Sequence, residues 1–164
     1  MCIIHIIYYT CRGIIMQVMY DELYNSLFEI VSFLIRPKQD KQLMQKAGVS
    51  LDTALFPLLM QIAHYGPLGI VELAGQVDRD HSTVSRQVDK LVALNLVIPT
   101  DQTTDKRVRR VGLTDTGKAI TDKIAAARRT MMREALQDWD EDQLAELHTS
   151  LEHLTETIRN HTST

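Results

Sequence analysis

Apolar residues along the chain fall into a succession of helix-period stripes, interrupted once by a stretch with strand character. In residues 20–36, "YDELYNSLFEIVSFLIR", Leu23, Leu27, Ile30 and Leu34 recur at helical spacing with Phe28, Val31 and Ile35 alongside. The stripe is broad for one helix, and Pro37 stops it. The polar "KQDKQLMQKAGVS" reads as a connection, with room in it for a short helix. Asp52 suits the N-cap of the next apolar run, "TALFPLLMQIAHY", which ends at Gly66 and Pro67. Pro57 lies inside that run, removes a backbone donor and is expected to bend the helix near Thr53.

Next come "IVELAGQV" at 70–77, the polar turn Asp78-Arg79-Asp80, and "HSTVSRQVDKLVALN" at 81–95. Two short helices joined by so brief a turn form a helix-turn-helix. On the second, Val84, Val88, Leu91 and Asn95 share a narrow arc; Ser82, Arg86 and Asp89 lie opposite, flanked by Thr83, Ser85 and Lys90. Asn95 suits the left-handed conformation that closes a helix. "LVIPT" at 96–100 and "RVRRVGLT" at 107–114 are rich in β-branched residues and flank the turn-prone "DQTTDK", which predicts a β-hairpin. Thr114 is placed to cap a long helix through about Gln137. From Glu141 onward Leu144, Leu147, Leu151, Leu154 and Ile158 form a heptad seam.

Charge changes this picture. The chain has 164 residues and a formal net charge of -3, yet residues 79–112 hold seven Lys or Arg against four Asp, a local +3. The remaining 11 basic and 17 acidic residues give -6, the asymmetry expected of a localised polyanion-binding surface. Lys106, Arg107, Arg109 and Arg110 fall within five positions, with no carboxylates at helical spacing to pair them, which points to neutralisation from outside the chain. An acid-rich tail (Asp138, Asp140, Glu141, Asp142, Glu146, Glu152, Glu156) reads as the solvated face of a dimer helix.

A composition that is 45% hydrophobic with four prolines and seven glycines indicates a globular protein, and no stretch has the run of about 20 apolar residues that spans a bilayer. Cys2 and Cys11 are too few for a zinc site or a disulfide framework and fit a reducing cytoplasm. No cofactor is expected. The histidines lack the spacing of a helical metal pair, and no catalytic constellation or glycine-rich phosphate loop is present. The apolar opening, residues 1–15, lacks the features of a signal peptide. It reads as an added segment, with Met16 and Met19 as alternative starts, or as a real extension packing on a partner.

A short helix with hydroxyls and an arginine on its exposed face suits the major groove of DNA. Arg86 can reach a guanine edge with a bidentate fork, and the hydroxyls can contact phosphates or bases. A basic hairpin following it can track the backbone and place an arginine in the minor groove. Taken singly, the helix is also readable as an ordinary solvated surface helix, and the arginine strand as an edge protected against aggregation. Their succession in one segment favours DNA.

"GPLGIVELAGQVDRDHSTVSRQVDKLVALNLV" and "DQTTDKRVRRVGLTDTG", with its Asp-x-Arg pair and Leu-Thr-x-x-Gly helix start, resemble the MarR family of winged-helix transcription regulators. The resemblance runs from about residue 20 to 158. It implies a mainly helical fold with a small β-wing, in which the first and last helices build a homodimer. It also implies that Ser82, Thr83, Ser85 and Arg86 line the major groove, and that Asp105 braces Arg107 for the minor groove. Lys90, Lys106 and Arg109 complete the expected DNA-binding set. The family's usual glycine after the recognition helix is Asn95 here, and Ile98 and Pro99 stand where a basic residue is common.

Regulators of this family often take a small aromatic effector between the dimerisation helices and the DNA-binding lobe, where Tyr24, Phe28, Met60 and His64 are the candidates by resemblance; ordinary core packing is the competing explanation for each. Oxidant sensing is not expected, because both cysteines lie upstream of the helix that carries the sensor in one subgroup. The expected organisation is an N-terminal extension (1–19), dimerisation helices (20–51 and 138–164), a winged helix-turn-helix domain (52–116) and a linking helix (117–137). The expected function is a cytoplasmic, sequence-specific repressor of transcription that binds a pseudo-palindromic operator and is released by a small molecule. The competing reading is a winged-helix dimerisation or protein-docking module without DNA binding.

Overall fold

The computed structural model describes the backbone of residues 3–34, 36–100 and 110–162, and the side chains of 16–34, 36, 38–100 and 110–161. Seven helices and three strands are seen among these residues. In chain order they are α1 (Ile3–Leu34), α2 (Pro37–Lys46), α3 (Phe56–Tyr65), β1 (Leu68–Gly69), α4 (Ile70–Gln76), α5 (His81–Ala93), β2 (Val97–Thr100), β3 (Arg110–Leu113), α6 (Asp115–Ala135) and α7 (Glu141–Thr162). The chain divides into two compact units, and the division falls inside α6, between Ile124 and Ala125. The fold is mainly helical with a small antiparallel wing sheet, as the patterning predicts.

The stripe expected at 20–36 is the C-terminal part of a longer helix, since α1 is continuous from Ile3. Within it Met16, Tyr20, Leu23, Tyr24, Phe28, Val31 and Phe33 are all exposed. The connection expected after Pro37 is mostly helix. Proline at the first helical position has a preset φ and lacks only a donor that would go unused there, so Pro37 starts α2 rather than merely ending α1. Asp40 lies in the first turn, where the helix dipole favours it. At the other end Gly48 has φ 64°, its N–H reaches the Gln45 carbonyl at 3.1 Å, and the Val49 N–H reaches the Met44 carbonyl at 2.9 Å. This pair of bonds is a Schellman closure.

The expectation for Asp52 and Pro57 is corrected in the same way. The Asp52 carboxylate accepts from the Ala54 N–H at 2.9 Å and its carbonyl from Leu55 at 2.9 Å, but these bonds stabilise a turn, and α3 begins only at Phe56. Pro57 therefore sits in the first turn, where its missing N–H would have had no helical partner, and it introduces no bend near Thr53. Gly66 closes α3 at φ 83°.

Three helices and the sheet enclose the main core: Leu58, Leu59 and Ile62 from α3, Leu73 from α4, Val84, Val88 and Leu91 from α5, and Leu68, Val97 and Val111 from the strands. Each buried Leu or Ile contributes about 1.5–3 kcal/mol relative to exposure. A second cluster joins Met44, Phe56 and Ile124. The sheet order is β1-β3-β2, both pairs antiparallel. The hairpin is present, with Val97 opposite Leu113 and Thr100 opposite Arg110. The patterning missed β1, where Leu68 pairs with Val111 and Gly69 with Arg110. Pro99 is tolerated because β2 lies at the sheet edge.

The turn from α5 into the sheet repeats the Schellman geometry. Asn95 has φ 55°, its N–H donates to Val92 at 2.9 Å, and Leu96 donates to Leu91 at 2.9 Å. Asn95 thus lies beyond the helix and exposed, not on the buried arc of Val84, Val88 and Leu91. In the second unit, α7 opens with a reciprocal capping box, in which Gln143 N–H donates to Asp140 at 2.8 Å and the Gln143 side chain accepts from the Asp140 N–H at 3.0 Å. Leu144, Leu151 and Ile158 of its seam are exposed, whereas Leu147 and Leu154 are half-buried.

Candidate nucleic-acid interface

The geometry of α5 begins at its cap. Asp80, in extended conformation, accepts the Thr83 N–H at 2.8 Å and the Ser82 hydroxyl at 2.6 Å on the same oxygen. The Ser82 hydroxyl, the Thr83 side chain and backbone N–H, and the Arg86 charge all favour the carboxylate, holding Asp80 well below the ordinary value of 3.8. Aspartate is a strong N-cap, and its position directly before "HST" is the signal that the turn reading overlooked.

Burial then orients the helix. Val84, Val88 and Leu91 are fully buried, which turns Ser82, Arg86 and Lys90 to solvent and leaves Thr83 and Ser85 partly exposed at the flanks. The five residues expected on this helix therefore lie on its accessible surface. Arg86 folds back along it: Nε donates to the Ser82 carbonyl and Nη2 to the Ser82 hydroxyl, each at 3.2 Å.

Two arginines of the basic segment have internal roles. Arg79 donates from Nη1 to the Ala54 carbonyl at 2.8 Å and to Gln87 at 3.1 Å, tying the turn before α5 to the turn before α3. Arg110 donates to the Pro67 carbonyl from Nη2 at 2.5 Å and from Nε at 3.2 Å, and Nη2 lies 4.0 Å from Glu72. Glu72 thus partly neutralises Arg110 from within the fold, which corrects the expectation that the whole basic cluster is neutralised from outside. Asp105, Lys106, Arg107 and Arg109 lie outside the described residues.

The wing base is fixed by the segment "LTDTG". Thr114 donates its hydroxyl to the Asn95 carbonyl at 2.6 Å and accepts the Gly117 N–H at 2.9 Å, while its own N–H reaches the Leu96 carbonyl at 3.1 Å. One threonine thereby caps α6 and binds the end of α5 to the end of β3.

Of the four effector candidates, Tyr24 and Phe28 are exposed and stack at 6.3 Å on α1. Met60 packs against the second core cluster, and exposed His64 meets Tyr65 edge-on at 4.5 Å. Neither Tyr24 nor Phe28 is enclosed among the described residues. Among the described residues no group of His, Cys, Asp and Glu is arranged to hold a metal, and no helix is long and apolar enough to cross a membrane.

A three-helix core with an antiparallel wing, whose second short helix presents a polar face to solvent, defines a winged helix-turn-helix protein. A family model described as HVO_A0114 matches residues 51–111. The HTH-type transcriptional regulator YxaD of Bacillus subtilis is 29% identical over 112 residues, 68% of this chain and 78% of that protein. The HTH-type transcriptional repressor MdtR of Bacillus subtilis is 31% identical over 101 residues, 62% of this chain and 64% of that protein. Among solved structures, a MarR family protein from Bacillus stearothermophilus superimposes with a TM-score of 0.72 at 19% identity, covering 87% of this chain and 97% of that one. Staphylococcus aureus MarR, solved in complex with salicylate and kanamycin, gives 0.64 at 17% identity, covering 88% and 95%. The chain is therefore similar to HTH-type transcriptional regulators and shares the fold of MarR family proteins.

Proposed function

We propose that the protein is a homodimeric repressor that reads a pseudo-palindromic DNA site with α5 and the wing, and that a small aromatic molecule releases it. The observation that carries the reading is the face of α5: with Val84, Val88 and Leu91 buried, Ser82, Thr83, Ser85, Arg86 and Lys90 remain accessible on a helix short enough for the major groove. In this reading Asp105 and Arg107 act as one unit at the minor groove, with Lys106 and Arg109 on the backbone. Such a protein works in the cytoplasm beside the chromosome.

Dimerisation is supported by two exposed apolar surfaces among the described residues: the large apolar side chains of α1 between Met16 and Leu34, and Leu144 and Leu151 on α7. The repressor reading draws on the named activity of the MdtR relative, and effector release on salicylate in the Staphylococcus aureus structure. Tyr24, Phe28, Met60 and His64 are the residues proposed to meet such a ligand once a second copy covers α1.

Fluorescence anisotropy across a salt series tests the central claim. A duplex selected from a random-sequence pool should bind far more tightly than scrambled DNA, with affinity falling steeply as salt rises. Absence of duplex binding at low salt would favour the docking module.

A further inference from the structure

The proton of the Ser82 hydroxyl is committed to Asp80 at 2.6 Å, because a hydroxyl has one donor and the cap carboxylate has only acceptors. What Ser82 offers elsewhere is therefore its lone pairs, and Arg86 Nη2 takes one of them at 3.2 Å. Nε of the same guanidinium meets the Ser82 carbonyl, also at 3.2 Å. Nε and Nη2 form one straight edge of the planar guanidinium. With that edge held against Ser82, the second edge, Nη1 with the remaining Nη2 proton, is left facing away.

We propose that Ser82 is a positioning residue for base recognition: anchored by Asp80, it holds the Nε–Nη2 edge of Arg86 so that the Nη1–Nη2 edge is preset for a guanine. The O6 and N7 acceptors of guanine in the major groove match a two-donor edge of this kind. A long, rotamer-rich side chain that is already oriented loses less freedom on binding than a free one, so the gain appears as affinity for the matching base. The assignment rests on α5 reading DNA, and it gives Ser82 a role distinct from a DNA contact of its own. Asp80 has two tasks in this arrangement, since the oxygen that caps the helix also fixes the hydroxyl.

The test uses the full chain, with the duplex it selects from a random pool and variants of that duplex substituted one base pair at a time. Arg86→Ala should flatten preference at one base pair of each half-site. Ser82→Ala should reduce discrimination at that same pair by roughly three- to ten-fold and leave the other positions unchanged. Ser82→Thr, which keeps the hydroxyl, should restore it. In the Arg86→Ala background, Ser82→Ala should cost nothing more. The proposal is overturned if Ser82→Ala has the same effect with and without Arg86, or if it weakens selected and scrambled duplexes equally with a smaller salt slope, which marks a phosphate contact. Those results leave the DNA-reading role of α5 standing. Unchanged base preference in Arg86→Ala removes that role and the positioning claim together. Far-ultraviolet circular dichroism and melting confirm that each variant is folded, which the intact bond between Asp80 and the Thr83 N–H favours.

Discussion

A Cβ on Gly117 would fall 2.9 Å from the carbonyl carbon of Leu96, and closer still to its oxygen. Glycine here permits the first turn of α6 to press against the backbone that links α5 to the wing. The obstacle is main chain, which cannot swing aside as a flexible side chain would. Gly117→Ala is expected to lower unfolding free energy by about 1–3 kcal/mol, measured by urea denaturation. A variant as stable as the parent would show that α6 can move away without loss.

Arg110 should behave as a structural cation. Arg110→Ala strips the Pro67 carbonyl of two donors and Glu72 of its nearby charge. The expected cost is about 1 kcal/mol in thermal or urea unfolding. The salt dependence of DNA binding by the folded variant should match the parent. A shallower salt slope would mean that Arg110 meets phosphate after all.

Arg86 and Lys90 should separate by the kind of DNA they affect. Loss of a bidentate base contact in Arg86→Ala should cost about 1–3 kcal/mol on the selected duplex and little on scrambled DNA. Lys90→Ala should weaken both alike and reduce the salt slope by about one. Indistinguishable behaviour of the two variants in anisotropy titrations would mean that the face of α5 has been misassigned.

The oligomeric state follows from the uncovered helices. Sedimentation at micromolar concentration without DNA should give a dimer, and Leu151→Glu on the exposed edge of α7 should shift it toward monomer. Two-fold symmetry should then place the two copies of α5 about 34 Å apart on the operator. A monomeric parent chain would sink this arrangement.

Acid should act through Asp80. Its carboxyl is held below the ordinary 3.8 by the Ser82 hydroxyl first, so its stabilising effect is complete above that value and is lost as pH falls through the lowered one. Asp80→Asn keeps a good cap without the charge. On acidification below 3.8, the melting temperature of the parent should fall relative to that of Asp80→Asn. Parallel curves for the two proteins would remove the charge from the account.

The sequence shows the helix-turn-helix most clearly because its signals are local. Val84, Val88 and Leu91 repeat at helical spacing, and Asn95 supplies the left-handed residue that ends α5. β1 has no such signal: two residues cannot display alternation, and the partners of Leu68 and Gly69 lie far along the chain. Pro37 and Pro57 look like interruptions in the sequence because proline is equally a helix stop and a favoured first-turn residue; only the bonds around it distinguish the two. The candidate surface on α5 was legible as a set of residue types. What the pattern could not show was the direction of each bond: that the Ser82 hydroxyl donates to Asp80, and that Arg110 donates to the Pro67 carbonyl beside Glu72.

The strand order has a consequence for how the molecule assembles. β2 and β3 form a hairpin, whereas the pairing of Leu68 with Val111 joins the two ends of a long loop that contains α4, α5 and β2. Local helices close early, and a contact between distant residues must first overcome the entropy of bringing the loop ends together. The two-residue strand β1 therefore closes a far longer loop than the hairpin does, at a larger cost in chain entropy. The frame that aims α5 is thus held by a contact spanning much of the domain's sequence.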